Sequence, residues 1–197
     1  LCRGELCQMN RRYCWELTER QYYRIIYLKT AQFIASCCEA GGWIAGASPG
    51  QRRALRDYGR NLGQAFQIAD DLHDYAGYPQ QLGKPVGNDL EQGLATLPLI
   101  HLFETRKQYL KMVRMAPPNL ALPLDLQRTL REAVNINGSL DYARAAALRM
   151  QEKAVQALQL FPAAPERQML AGMAAAVTGR LCGRFGYRPV DSEVKLS

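Results

Sequence analysis

Apolar residues recur at three- and four-residue spacing through most of the chain, and the strict alternation of a half-buried strand is nearly absent. The pattern predicts helices at about Thr18–Ala45, Pro49–Tyr75, Leu94–Met115, Leu122–Val134, Gly138–Leu160 and Pro165–Phe185. Thr18 and Ser48 stand where N-caps belong, and Pro49 follows at the first helical position. The pair Pro117-Pro118 ends one periodic run. The longest interruption is AGYPQQLGKPVGNDLEQG, whose glycines, prolines and asparagine forbid a continuous helix. A loop of that length inside a helical domain is a lid or binding loop, or else disordered. The expectation is one all-α domain over residues 1–197.

Composition narrows this picture without redirecting it. At 48% hydrophobic and 22% charged, the chain falls among ordinary globular sequences. It has no run of eighteen apolar residues, so no membrane span is expected, and LCRGELCQMNRR has the charge but not the apolar stretch of a signal peptide. These features predict a soluble, cytoplasmic protein. The six cysteines form no CxxC pair and read as reduced thiols, not as a disulfide framework or a zinc site. A formal charge of +7 invites a nucleic-acid partner, yet the basic residues are dispersed and show no aromatic platform, so none is expected. The excess is either a solvated surface or a set of cations for a polyanionic ligand.

Candidate chemistry lies in GQAFQIADDLHDY, Gly63 to Tyr75. At about 100° per residue, Gln67, Asp70, Asp71 and Asp74 share one arc of the helix. Leu62, Ala65, Phe66, Ala69 and Leu72 fall on the arc opposite. Gly59 and Gly63 continue the acidic side and are expected to leave it bare. Like charges one turn apart destabilise a helix by a few tenths of a kcal/mol, so an acidic front of this kind wants cations. Carboxylates without histidine or cysteine partners suit a hard, oxygen-preferring ion such as Mg²⁺, which completes its shell with waters and substrate phosphates. A solvated acidic stripe would produce the same short pattern.

Two further segments offer the matching cations. Lys84 lies in LGKPVGNDLEQG, where an ammonium on a loop can meet a diphosphate. Lys29 and Thr30 in YYRIIYLKTAQF place an ammonium and a hydroxyl in mid-helix, although a lysine there can also snorkel to solvent. Carboxylates for Mg²⁺ and lysines for phosphate together make a diphosphate-handling set.

In chain order, GELCQ, the KTA of Lys29 to Ala31, FQIADDLHDY and LGKPVGNDLEQGLATLPLI resemble the trans-prenyl diphosphate synthases, over about Gly4 to Leu102. The resemblance implies an all-α isoprenoid synthase-type bundle and a Mg²⁺-dependent condensation of isopentenyl diphosphate with an allylic diphosphate. It implies that Asp70, Asp71 and Asp74 hold Mg²⁺ against the allylic diphosphate, with Asp70, Asp71, Lys29 and Lys84 in catalytic roles. Lys29, Thr30, Gln67 and Lys84 would surround that substrate, and Phe66 would lie near the isopentenyl group.

Two departures qualify the implication. The family carries a first aspartate-rich motif on an earlier helix, and here Asp57, Asp89, Asp125, Asp141 and Asp191 are each isolated. The chain opens on Leu1, so the expectation is a C-terminal portion whose N-terminal helices are missing, unable to complete the condensation alone. A homodimer, or a heteromer with the missing portion, is expected. Leu94 in GLATLP resembles the long-chain members. The alternatives are a non-catalytic partner or regulatory subunit of a heteromeric synthase, and a basic helical binding module with incidental aspartates. Phe33, Ser36, Cys37 and Ala40 continue the Lys29 face and suit either a product tunnel or close helix packing. His73 and His101 are expected to be peripheral and structural, respectively.

Overall fold

The structure, a computed structural model, describes residues 2–76 and 87–182. Lys84 and the tail beyond Cys182 lie outside the described residues. Among those described there are helices and turns but no strand, as the periodicity predicts.

The chain runs α1 (Cys2–Met9), α2 (Glu19–Ile26), a π-helical turn (Tyr27–Ala31), α3 (Gln32–Ile44) and α4 (Pro49–Ala76). It continues through α5 (Asn88–Glu91), α6 (Leu97–Thr105), α7 (Lys107–Arg114), α8 (Leu124–Ile136), α9 (Ser139–Ala157), a 3₁₀ turn (Leu158–Leu160) and α10 (Pro165–Cys182). Both predicted caps form as reciprocal boxes. The Thr18 hydroxyl accepts from the Gln21 amide at 3.3 Å while the Gln21 side chain accepts from the Thr18 amide at 2.9 Å. Ser48 and Gln51 repeat the arrangement at the start of α4.

Three expectations change. The helix expected over Thr18–Ala45 holds a π turn at Lys29, where the Gln32 amide bonds to the Tyr27 carbonyl five residues back. The helix expected over Leu94–Met115 is two, because Arg106 leaves helical geometry (φ −132°, ψ 74°) and its guanidinium donates to Asn137 at 3.0 Å. A first helix, α1, was not predicted.

Helix α4 is the axis of the bundle, packed against α3 on one side and α9 on another. Alanines 143, 146, 147 and 154 are buried along α9, so that helix lies close to its neighbours. One core joins Ile25, Ile68, Leu72, Leu97, Leu102 and Leu130, and a second gathers Tyr58, Leu62, Leu158 and Ala174 near the start of α4.

Gly59 and Gly63 do not leave a bare face. A Cβ at Gly63 would stand 2.5 Å from the Ala31 Cα, and one at Gly59 would stand 2.8 Å from the Ala35 Cα and the Ile34 carbonyl oxygen. The two glycines instead let the Lys29 helix and α4 touch backbone to backbone.

Candidate functional site

The backbone contact brings Lys29 and Thr30 to the aspartate helix. The Thr30 hydroxyl donates to Gln67 Oε1 at 2.8 Å, and Gln67 Nε2 donates to Asp71 Oδ1 at 3.0 Å. The Tyr22 hydroxyl donates to the other oxygen, Asp71 Oδ2, at 2.7 Å. Gln67 and Asp71 are 5% and 8% exposed, so this chain lies beneath the surface, whereas Asp70 is exposed.

Helix α1 fixes the lysine. Gly4 lets α1 meet the Lys29 backbone where no side chain fits. Lys29 Nζ then donates to Gln8 Oε1 at 2.9 Å and lies 3.7 Å from Glu5. The glycine, glutamate and glutamine of GELCQ thus all meet the Lys29 turn. Lys29 is half-buried and held, not snorkelling freely.

Asp74 is engaged differently. Its two oxygens accept from the backbone amides of Asn88 at 3.1 Å and Asp89 at 3.0 Å, while its own carbonyl accepts from the Gly87 amide at 2.9 Å. Gly87 has φ +92° and lies against the Arg131 guanidinium, where a Cβ would collide. Asp74 therefore anchors α5. That anchoring carries Asp89, isolated in sequence, into the field of the other aspartates. The loop between α1 and α2 closes the same region, since Tyr13 N–H donates to the Gly93 carbonyl at 2.7 Å and Arg12 Nε to the Gln92 carbonyl at 2.8 Å.

The electrostatics follow from burial and from this clustering. Burial raises the Asp71 carboxyl above the ordinary range; the Tyr22 and Gln67 hydrogen bonds oppose the rise and Asp70 adds to it. Burial also raises Asp89, helped by the negative charges of Asp71 and Asp74 and opposed by Lys29. Asp74 is raised by burial against the three backbone amides and Arg131. Burial and the Asp71 carboxylate push the Tyr22 hydroxyl well up, so it stays a donor. A region in which three carboxyls resist ionisation is one where an added cation is stabilised.

The arrangement is not a ready-made cage. Among the described residues no three His, Cys, Asp or Glu side chains converge to hold a metal by themselves. The donors available are carboxylate oxygens, which fits Mg²⁺, an ion that takes one or two carboxylates and fills its shell with water and phosphate. The cavity between Lys29, Tyr22, Gln67 and Asp71 encloses about 20 Å³, room for one water. A diphosphate would have to lie on the open side, where Asp70 is exposed.

Phe66 departs from the expected face. It is 48% exposed, one turn before Asp70 on the same strip, because the arc assigned to the apolar side was drawn too wide. Phe33, Ser36, Cys37 and Ala40 are also exposed, so the described residues alone make neither a tunnel nor a packed interface there. His101 is structural as expected, hydrogen-bonded to Ser139 at 3.0 Å and stacked on Tyr142 at 4.2 Å. Sequence reasoning missed Tyr22, Gln8 and Asp89 as members of the site; GELCQ was a signal for Gln8, and nothing local marked Tyr22 or Asp89.

The fold and site define an all-α bundle whose central helix carries a carboxylate cluster beside a fixed lysine. The chain belongs to the polyprenyl synthetase family, whose sequence model matches residues 1–119. It is 39% identical over 175 residues to the octaprenyl diphosphate synthase of Escherichia coli (strain K12), covering 88% of this chain and 54% of that protein. It is 31% identical over 180 residues to the heptaprenyl diphosphate synthase component 2 of Geobacillus stearothermophilus, covering 91% and 55%. The fold superposes on the crystal structure of a Caulobacter crescentus CB15 polyprenyl synthase complexed with calcium and isoprenyl diphosphate. That match has a TM-score of 0.83 at 36% identity and covers 91% of this chain and 55% of that one. The chain thus spans about half the length of these relatives.

Proposed function

We propose that this chain supplies the allylic-diphosphate side of a Mg²⁺-dependent prenyltransferase that condenses isopentenyl diphosphate with an allylic diphosphate into a polyprenyl diphosphate. The observation that carries the reading is the Thr30–Gln67–Asp71–Tyr22 hydrogen-bond chain lying beside Lys29, which holds a carboxylate and an ammonium around one small cavity. Family membership and the calcium and isoprenyl diphosphate bound to the Caulobacter relative support it.

When bound, Mg²⁺ would neutralise the diphosphate and the charge that develops on it as the allylic C–O bond ionises. The chain's own groups do the rest. Asp70 and Asp71 present oxygens to the ion, and Lys29 offers its ammonium to the phosphate once the substrate outcompetes Gln8 and Glu5. Thr30 and Gln67 orient Asp71, and Asp74 holds α5 with Asp89 alongside. Lys84 is assigned to the diphosphate on sequence grounds and Phe66 to the isopentenyl side, where its exposed ring excludes water from a neighbouring cation. Gains of this kind count for rate because they grow as charge separates.

A second reading, that the chain works as part of a heteromer, is favoured by its likeness to a protein named as component 2 of a heptaprenyl diphosphate synthase. A homodimer and a cytoplasmic setting complete the proposal. Among the described residues no helix is long and apolar enough to cross a membrane.

The test is thermal unfolding with Mg²⁺, with farnesyl diphosphate, and with both. A midpoint that rises only with both, and that Asp70→Ala abolishes, is the expected result. No joint rise in the unmodified chain would overturn the reading.

A further inference from the structure

We propose that Tyr22 is a positioning residue, holding the Asp71 carboxylate in the one orientation that leaves free lone pairs for a metal ion. The inference rests on the reading above that Asp71 serves Mg²⁺.

Tyr22 lies on α2, outside the motifs that carry the family resemblance, and is 3% exposed. Its hydroxyl crosses to Asp71 Oδ2 at 2.7 Å, a contact between residues 49 positions apart. The opposite oxygen is taken by Gln67, itself held by Thr30. An ionised carboxylate offers about four lone-pair directions. Two are filled, one on each oxygen and from two different helices, so one direction on each oxygen stays open and the carboxylate plane cannot turn.

Fixing that plane matters because the terminal torsion of aspartate is soft. With Oδ2 released, the carboxylate is drawn towards Lys29 and pushed by Asp70, and the cation would have to reorganise it on binding. Outer groups that fix a metal ligand in this way are worth roughly 10–100-fold in metal affinity. Tyr22 need never touch metal or substrate to have that effect. A tyrosine that merely fills space would lose nothing at the metal when its hydroxyl is removed, because Tyr22→Phe keeps the ring and its edge contact with Tyr23, 5.7 Å between centroids.

The experiment is a Mg²⁺ titration of the thermal midpoint at saturating farnesyl diphosphate, on the unmodified chain and on Tyr22→Phe. The expected result is a Mg²⁺ half-point about tenfold higher in the variant, with the farnesyl diphosphate half-point at saturating Mg²⁺ little changed. Equal Mg²⁺ half-points would overturn the proposal while leaving the functional reading intact, since the unmodified chain would still respond. Absence of any joint response in the unmodified chain would overturn both. Should Tyr22→Phe fail to fold, a crystal structure of the unmodified chain with Mg²⁺ and farnesyl diphosphate decides. A Tyr22 hydroxyl within about 3 Å of an Asp71 carboxylate that also reaches the ion or its water supports the proposal. A carboxylate swung off Tyr22 to reach the ion overturns it.

Discussion

Helix α4 meets the Lys29 segment by two different means along its length. Around its middle the contact is bare backbone, with Gly59 against Ala35 and Gly63 against Ala31. One turn further on, the contact is polar, with Gln67 accepting from Thr30 at 2.8 Å and Asp71 accepting from Gln67 and Tyr22. The first contact makes the second possible. Ala31 adjoins Thr30, and Gly63 lies one turn below Gln67, so the glycine sets the separation that a short hydroxyl and an amide must span. The apolar half fixes distance, and the polar half turns that distance into chemistry.

The largest expected effect comes from breaking the first contact. Gly63→Val would drive a branched side chain into Ala31, 2.5 Å from where its Cβ would sit. The helices would have to separate, at a cost of about 3 kcal/mol, the upper end for an overpacked core. The joint response to Mg²⁺ and farnesyl diphosphate should disappear with it. Urea unfolding and the thermal titration check the two halves of this expectation. A variant as stable as the parent would show that Gly63 does not set the spacing.

Gln67→Leu attacks the second contact alone. Leucine keeps the volume but leaves Asp71 Oδ1 and the Thr30 hydroxyl without the partners they have now. Buried polar groups stranded in this way cost about 2 kcal/mol. Urea unfolding should show that loss with an unchanged dependence on denaturant, because the helices still touch at Gly63. Full stability in Gln67→Leu would mean that the polar half adds nothing to the fold.

The pH dependence follows with its sign fixed. Asp71, Asp74 and Asp89 have folded-state carboxyls raised above their unfolded values, so the folded protein holds more protons than the unfolded one across that window. Their contribution to stability is complete below the ordinary carboxylate range, about 4, and is lost as pH rises towards about 8, the value to which Asp89 is pushed. Without ligand the thermal midpoint should fall over that interval by roughly 5 °C. Mg²⁺ with farnesyl diphosphate should flatten the fall. A midpoint that rises from pH 4 to 8 in metal-free buffer would show that the carboxylates are better paired than burial implies.

The same contrast separates what could be read from the sequence from what could not. Periodicity and capping chemistry were enough for α4, which starts at Pro49 and ends at Ala76, one residue past the predicted end, and for the boxes at Thr18 and Ser48. The acidic arc and the Lys29–Thr30 pair were also legible, because each is local. The π turn was not, since one extra residue in a turn leaves the apolar spacing nearly unchanged. Tyr22 looked like one more apolar position of α2. Asp89 joined the site only because Asp74 grips the backbone of α5, and backbone amides have no sequence signature. The role of the glycines was misread for a related reason. A missing side chain announces space, and only the fold tells whether a ligand or another helix fills it.

The smallest effect sharpens that last point. Gly172 lies within α10 with nothing within 4 Å of where its Cβ would be, so alanine there meets no obstacle. Removing a helix-interior glycine lowers the entropy of the unfolded chain and improves helix propensity, so Gly172→Ala should stabilise by about 0.5–1 kcal/mol. The identical change at Gly63 adds one methyl to a contact that has no room for it and should destabilise. Urea unfolding of the two variants side by side reads the sign directly. Opposite signs would place the difference in the surroundings and not in the glycine. If both variants gain stability, Ala31 yields to a methyl group, and the short Thr30–Gln67 bond must owe its length to the polar half itself.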